Sequence, residues 1–323
     1  METILVTGGA GFIGSHVCDK LLQLGNKVIC VDNLNNYYSP KRKIKNVQHN
    51  FDNPNFEFIT LDIQHKEQLT EVFKEHKITR ICHLAARAGV RPSIENPLLY
   101  RDTNVTGTLN LLELAKLFEV HNFIFASSSS VYGNSEKVPF RELDNVDFPI
   151  SPYAASKKAC ELFCYTYSHL CDINVTCLRF FTVYGPRGRP DMAPYLFTQR
   201  IGKGLPIKKF GDGTTKRDYT YIADIVEGVI KALERPFKFE IINLGNNKSV
   251  ELNHFIRVIE EAVGKKAIIE EHPMQKGDVH ITFADVSKAK GLLDYEPKTT
   301  IEEGMKKFVE WFKIEGLDKD QTY

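Results

Sequence analysis

Tyr153 and Lys157 stand four residues apart in the segment Ser151-Pro152-Tyr153-Ala154-Ala155-Ser156-Lys157, where Ser151 has the character of a helix N-cap and Pro152 that of a first helical residue. That spacing puts both side chains on one helical face, where an ammonium beside a phenol favours its ionised form. An ordinary tyrosine titrates near pH 10, about three units too high for a base at neutral pH, and neighbouring cations are a physical means of closing that gap. The spacing equally suits a plain helical tyrosine beside an exposed lysine, so the pair needs a setting before it means chemistry. A second candidate is the hydroxyl run Ser127-Ser128-Ser129-Ser130-Val131-Tyr132-Gly133. A hydroxyl there could bond a substrate oxygen, although polar turns also produce such runs. The nucleophile elbow G-x-S-x-G is absent, which excludes that type of serine hydrolase. Histidines such as His83 and His121 have no metal-ligand spacing, so no metal is expected.

The setting begins at the N-terminus. Ile4 to Val6 is the short apolar run of a strand covered on both faces, and Phe12, Ile13, Val17, Leu21 and Leu22 form one helical stripe. Between them lie glycines that fit two spacings, Gly9-x-Gly11-x-x-Gly14 and Gly8-x-x-Gly11-x-x-Gly14. Such a turn lets a phosphate approach the N–H groups at a helix N-terminus, where the dipole favours negative charge. A second apolar strand, Lys27 to Asp32, ends in an acid about 20 residues after the turn, the position expected to bind an adenosine ribose 2′-hydroxyl. No arginine sits nearby to receive a 2′-phosphate, which favours NAD over NADP.

The strand and helix rhythm continues through Phe56 to Ile63, Lys66 to Lys77, Arg80 to Ala86, Asn104 to Phe118, Asn122 to Ala126 and Asn174 to Phe180. This predicts an α/β fold, a Rossmann-type doubly wound parallel sheet, with a smaller, discontinuous C-terminal substrate lobe. The expected dinucleotide-binding domain is 1–181, rejoined by about 220–244, and the second lobe is 182–219 with 245–323. The asparagine-rich segment Asn33 to Asn55 reads as a loop plus a short helix, with Lys41 to Lys45 on a solvated face. Lys+Arg 42 against Asp+Glu 41 leaves a formal charge of +1, so no global field recruits nucleic acid or an anionic membrane. The seven cysteines form no C-x-x-C pair and lie mostly in apolar runs, and the first strand starts almost at Met1. These features predict a soluble cytoplasmic protein without a signal peptide or membrane span.

Taken together, Thr7 to Gly14, Asp62-Ile63, Leu84-Ala85-Ala86, Ser127 to Gly133, Tyr153-x-x-x-Lys157 and Leu178 to Pro186 resemble the extended short-chain dehydrogenase/reductase family of nucleotide-sugar enzymes. The resemblance spans nearly the whole chain. Ala85 to Arg91 and Gly188-Arg189-Pro190-Asp191-Met192 look most like its UDP-glucuronate 4-epimerase group. It implies an isomerase that interconverts UDP-glucuronate and UDP-galacturonate through a transient 4-keto sugar, with NAD regenerated in each cycle. In that cycle Tyr153 takes the proton of the C4 hydroxyl, Ser128 bonds the same oxygen and Lys157 holds the nicotinamide ribose.

Matched residue by residue, the family's cofactor contacts fall on Gly8, Gly11, Phe12, Ile13, Gly14, Asp32, Asn33, Asp62, Ile63, Leu84, Ala85, Ala86, Asn104, Tyr153, Lys157 and Phe180, with Asn104 supporting the serine loop. Its substrate contacts fall on Ser128, Ser129, Thr182, Arg217 and Asp278, with Arg189 expected on the C6 carboxylate and Arg91 as the next candidate. Galactose-type epimerases have an arginine where this chain has Gln275, three residues before Asp278. The related dehydratases need acids after the catalytic hydroxyl, and the decarboxylases a glutamate before Val-Tyr-Gly. Here Ser129 and Ser130 stand instead. An epimerase of UDP-galactose or a UDP-N-acetylhexosamine stays open as an alternative, as does a non-catalytic NAD-binding regulator, against which the Tyr153/Lys157 pair argues. The resemblance also implies a homodimer through the helices Asn104 to Phe118 and Tyr153 to Leu170.

Overall fold

Leu5 packs into one hydrophobic core while its neighbours Ile4 and Val6 pack into another, so the first strand is covered on both faces. The computed structural model describes residues 1–274 and 279–316. In chain order the strands are β1 (Thr3–Thr7), β2 (Lys27–Asp32), β3 (Phe56–Thr60), β4 (Arg80–His83), β5 (Asn122–Ser128), β6 (Asn174–Phe180), β7 (Thr182–Tyr184), β8 (Ile207–Phe210), β9 (Lys216–Tyr221), β10 (Phe239–Leu244), β11 (Ser249–Glu251) and β12 (Ile269–His272). The helices are α1 (Phe12–Gln23), α2 (Pro40–Val47), α3 (Lys66–Glu75), α4 (Val90–Glu95), α5 (Pro97–Tyr100), α6 (Gly107–Leu117), α7 (Pro152–Cys171), α8 (Ala193–Gly202), α9 (Ile222–Glu234), α10 (Leu252–Val263), α11 (Ser287–Leu293) and α12 (Ile301–Trp311).

Seven parallel strands form the main sheet in the order β10-β6-β5-β4-β1-β2-β3. This is the doubly wound Rossmann-type arrangement. From β1 the chain winds outward through β2 to β3, then returns to β4 on the other side of β1 and winds the opposite way. Connections leaving β1 and β4 therefore diverge, and a crevice opens at the carboxyl edge between them. Val17 and Leu21 of α1 with Ile225 and Val229 of α9 fill one core, and Leu69 of α3, Leu111 of α6 and Cys160 of α7 fill the other. Each fully buried aliphatic side chain of this kind contributes about 1.5–3 kcal/mol. After β6 the chain builds a three-stranded sheet, β11-β9-β7, and a parallel pair, β12 and β8. It returns through α9 to place β10 beside β6.

The helix expected from Asn104 starts differently. Arg101–Thr106 forms a wide π turn, and regular α6 begins only at Gly107, where a Cβ would lie 2.4 Å from Ile63 Cδ1. Such turns re-aim side chains, and here the turn buries Asn104. Among the described residues no helix is long and apolar enough to cross a membrane.

Candidate active site

A cleft of about 530 Å³ lies at the carboxyl edge of the main sheet, walled by the segments that follow β1, β2, β4, β5 and β6. Its floor is the glycine turn. Gly8 has φ +68°, and a Cβ there would stand 2.7 Å from the Ala85 nitrogen. A Cβ on Gly14 would come within 2.2 Å of the Gly8 carbonyl oxygen. Gly11 caps α1 without a side chain, which leaves the first amides of the helix for an anion. A pyrophosphate fits this cradle because side chains at these positions would displace backbone.

Asp32, at the end of β2, is 7% exposed and accepts the Leu34 N–H at 2.9 Å. Burial raises its carboxyl pKa, and the nearby Lys43 ammonium and local N–H donors act against that. Asn33 also lines the cleft and donates to Asp62 Oδ2 at 2.7 Å. Asp62 does not line the cleft but braces this loop. Burial works against its charge, while donors from Gln64 and Asn33 outweigh burial and hold its pKa below the usual carboxylate value. Phe12, Ile13, Ile63, Leu84, Ala85, Ala86 and Phe180 line the same space.

The reacting groups gather on the β5 side. Ser151 caps α7, accepting the Ala154 N–H at 3.1 Å, so Tyr153 lies in its first turn. Ser128 ends β5 and caps the short 3₁₀ turn Ser129–Tyr132, accepting the Ser130 N–H at 3.1 Å. Burial raises the Tyr153 pKa, and a hydrogen bond with Ser128 and the Arg189 charge pull it back. The Lys157 ammonium instead donates to the Ala126 carbonyl at 2.6 Å. Burial brings Lys157 down to about 8, with Cys160, Cys164 and Glu161 acting against it. Arg189 is thus a cation that acts on the phenol beside the expected Lys157, a contribution the helical spacing alone does not reveal.

Thr182, Ser129 and Arg189 line the cleft. Arg189 is engaged by Asp191, with Nε to Oδ1 at 3.0 Å and Nη2 to Oδ2, and its guanidinium lies 5.2 Å from the Tyr37 ring centroid. Other expected contacts fall elsewhere. Arg91 is exposed, with its guanidinium 5.5 Å from the Phe210 ring centroid, and does not line the cleft. Arg217 donates to the Lys216 and His280 carbonyls and does not line it either. Asp278 and Gln275 lie outside the described residues. Asn104 braces the Arg87 backbone, through Arg87 N–H at 2.7 Å and the Arg87 carbonyl at 3.0 Å, and donates to Ser156 Oγ at 2.9 Å. It therefore supports the segment after β4 and α7, not the serine loop, because the π turn aims it there.

Several cleft residues escaped the sequence reading, among them Asn35, Tyr38, Arg87, Lys43 and Tyr37. Lys43 is 4% exposed and donates to the Asn35 carbonyl at 2.9 Å, and Tyr37 reaches across to Arg189. Lys43 is thus not on a solvated face. Its signal was the spacing Lys43, Asn46, Val47, the i, i+3, i+4 pattern of a buried helical stripe.

The family model described as GDP-mannose 4,6 dehydratase matches residues 5–308. The chain is 49% identical to a UDP-glucuronate 4-epimerase of Thermodesulfobacterium geofontis over 314 residues, covering 97% of each. It is similar to the crystal structure of UDP-glucuronic acid 4-epimerase from Bacillus cereus in complex with UDP-glucuronic acid and NAD, with TM-score 0.89, 36% identity and coverage of 96% and 99%. A UDP-glucose 4-epimerase of Thermotoga maritima superposes with TM-score 0.89 at 36% identity, covering 96% and 98%. The chain belongs to this family of extended short-chain dehydrogenases/reductases.

Proposed function

We propose that this member of the extended short-chain dehydrogenase/reductase family is an NAD-dependent isomerase that interconverts UDP-glucuronate and UDP-galacturonate through a transient 4-keto sugar. The observation that carries the reading is the composition of the cleft. Tyr153, Ser128 and Arg189 share it, and among its described lining residues Asp32 is the only carboxylate. Asp32 ends β2, three strand positions from β5, or about 14 Å at ordinary strand spacing. Among the described residues no carboxylate lines the cleft beside Ser128 to protonate C5 or to drive loss of a C6 hydroxyl, which supports reduction as the exit of the 4-keto sugar.

NAD would be held by the glycine turn, Asp32 and Asn33, and would supply the hydride acceptor and donor for C4. Tyr153 takes the proton of the C4 hydroxyl and gives it back, while Ser128 donates a hydrogen bond to that oxygen as it becomes a carbonyl. Arg189 grips the C6 carboxylate in two places, which keeps the C5–C6 bond out of line with the carbonyl π system and opposes loss of CO₂. Lys157 is assigned to the nicotinamide ribose. Thr182, Arg217 and Asp278 are assigned to the UDP, held by a lobe of residues 182–219 and 245–323. The small sheets built from β7, β8, β9, β11 and β12 support that division.

A second copy of the chain is the proposed partner. Leu117 of α6 and Leu162, Tyr165 and Leu170 of α7 are between 55% and 71% exposed, apolar side chains on the two helices that would be covered in a homodimer. Seven free cysteines support a cytoplasmic setting. Proton NMR of the anomeric signals tests the function: purified protein with UDP-glucuronate should generate UDP-galacturonate without net NADH. Stoichiometric NADH would indicate a dehydrogenase, and turnover of UDP-glucose in its place would move the assignment to neutral sugars.

A further inference from the structure

The interior beneath the cleft holds a charged pair that the proposed chemistry does not use. Glu161 on α7 and Arg179 on β6 are each 1% exposed, and Arg179 donates from Nε and Nη2 to the two carboxylate oxygens, both at 2.8 Å. Taking two charges out of water is costly, and an apolar pair of similar volume is often as stabilising or more so. Stability is therefore a weak reason for this pair, and its position offers a better one. Strand register sets Arg179 opposite Ser127, whose hydroxyl donates to Glu161 Oε1 at 2.6 Å. On the other side the Arg179 guanidinium lies 4.8 Å from the centroid of the Tyr132 ring, and the Tyr132 hydroxyl donates to Asn243 Oδ1 on β10 at 2.7 Å. Ser127 precedes Ser128, and Tyr132 closes the turn that Ser128 caps. The pair thus holds the segment on both sides of the Ser128 hydroxyl. Glu161 also follows Tyr153 by eight residues on α7, so one rigid helix carries both the phenol and the anchor of the serine segment.

We infer that the Glu161–Arg179 pair is a positioning device for Ser128, clamping Ser127 and Tyr132 so that the hydroxyl stays against the Tyr153 phenol. The inference rests on the roles given to Ser128 and Tyr153 above. Neither member of the pair lines the cleft, so each acts through the segment it holds.

The test compares wild type, the double variant Glu161→Leu/Arg179→Met and Ser127→Ala, each as the full chain loaded with NAD. The double variant removes both charges together and avoids stranding one of them. It should melt close to wild type and keep KM for UDP-glucuronate within about threefold, while kcat falls at least about tenfold. Its crystal structure should show the Ser128 hydroxyl out of hydrogen-bond reach of Tyr153. A kcat within about twofold of wild type, or a Ser128–Tyr153 bond left in place, overturns the inference. Should the double variant fail to fold, Ser127→Ala carries the same test, with kcat expected to drop about threefold at unchanged KM. A wild type that never turns over UDP-glucuronate would sink the functional reading, while the position of Ser128 in the variant crystals would still decide the clamp.

Discussion

The ammonium of Lys157 donates to the backbone carbonyl of Ala126, 2.6 Å away on β5. Ala126 lies two residues before Ser128, and Lys157 lies one helical turn after Tyr153. The bond therefore fixes the register of α7 against β5 between the phenol and the hydroxyl that must meet. A charged donor to a buried carbonyl is among the stronger neutral-to-ion hydrogen bonds, which suits it to that task.

Tyr153→Phe keeps the ring packed edge-on to Tyr100, at 6.2 Å between centroids, and removes only the group that exchanges the proton. Epimerisation should slow by about 10²–10⁴-fold, as general acid–base groups typically require. NAD content, measured by absorbance after denaturation, should match wild type. Turnover near the wild-type rate would discard Tyr153 as the base.

Arg189→Lys retains charge and loses the planar fork now occupied by Asp191. UDP-glucuronate should bind more weakly, and a larger share of turnovers should end in CO₂ and a UDP-4-keto-pentose. Mass spectrometry of the products decides this. Unchanged affinity with no keto-pentose would remove Arg189 from the carboxylate.

Gly14→Ala places a Cβ 2.2 Å from the Gly8 carbonyl oxygen, and because that atom is backbone the turn itself must move. The variant should lose about 1–3 kcal/mol of stability through overpacking, and most of its bound NAD. Calorimetry and cofactor content measure the two effects, and full NAD occupancy would contradict the cradle.

His83 is buried between Thr7 Oγ1 at 2.7 Å and Thr108 Oγ1 at 3.0 Å. Burial first, and the Lys157 charge second, lower its pKa from 6.5 to about 3. The unfolded chain binds the proton near 6.5, whereas the folded chain does so only near 3. The contribution to stability is therefore complete above 6.5 and is lost progressively as pH falls toward 3. At pH 5 the loss amounts to about 2 kcal/mol. His83→Gln should narrow the gap between urea midpoints at pH 7 and pH 5, and an unchanged gap would mean that other groups govern acid sensitivity.

Much of the architecture was legible because it is written in local periods. Apolar runs ending in Thr7 and Asp32, the glycines between Gly8 and Gly14, and the four-residue step from Tyr153 to Lys157 each follow from short-range geometry. Those features place a nucleotide cradle and a phenol–ammonium face on any parallel sheet that the rhythm can build.

Loop contacts were decided by the tertiary structure, since no period governs where an irregular segment lands. Tyr37 meets Arg189 across 152 residues of chain, and Lys43 is drawn inward because α2 turns its Lys43, Asn46 and Val47 stripe to the interior. Arg91 and Arg217 carry the charge expected of anion contacts, yet neither lines the cleft at the sheet edge, because side-chain type says nothing about direction. Asn104 was recognisable by motif, yet its partner depended on a π turn that the helical pattern conceals. By itself the sequence determined which groups could do the chemistry. Which of them face one another was settled only when long-range strand register and loop packing set their backbones in place.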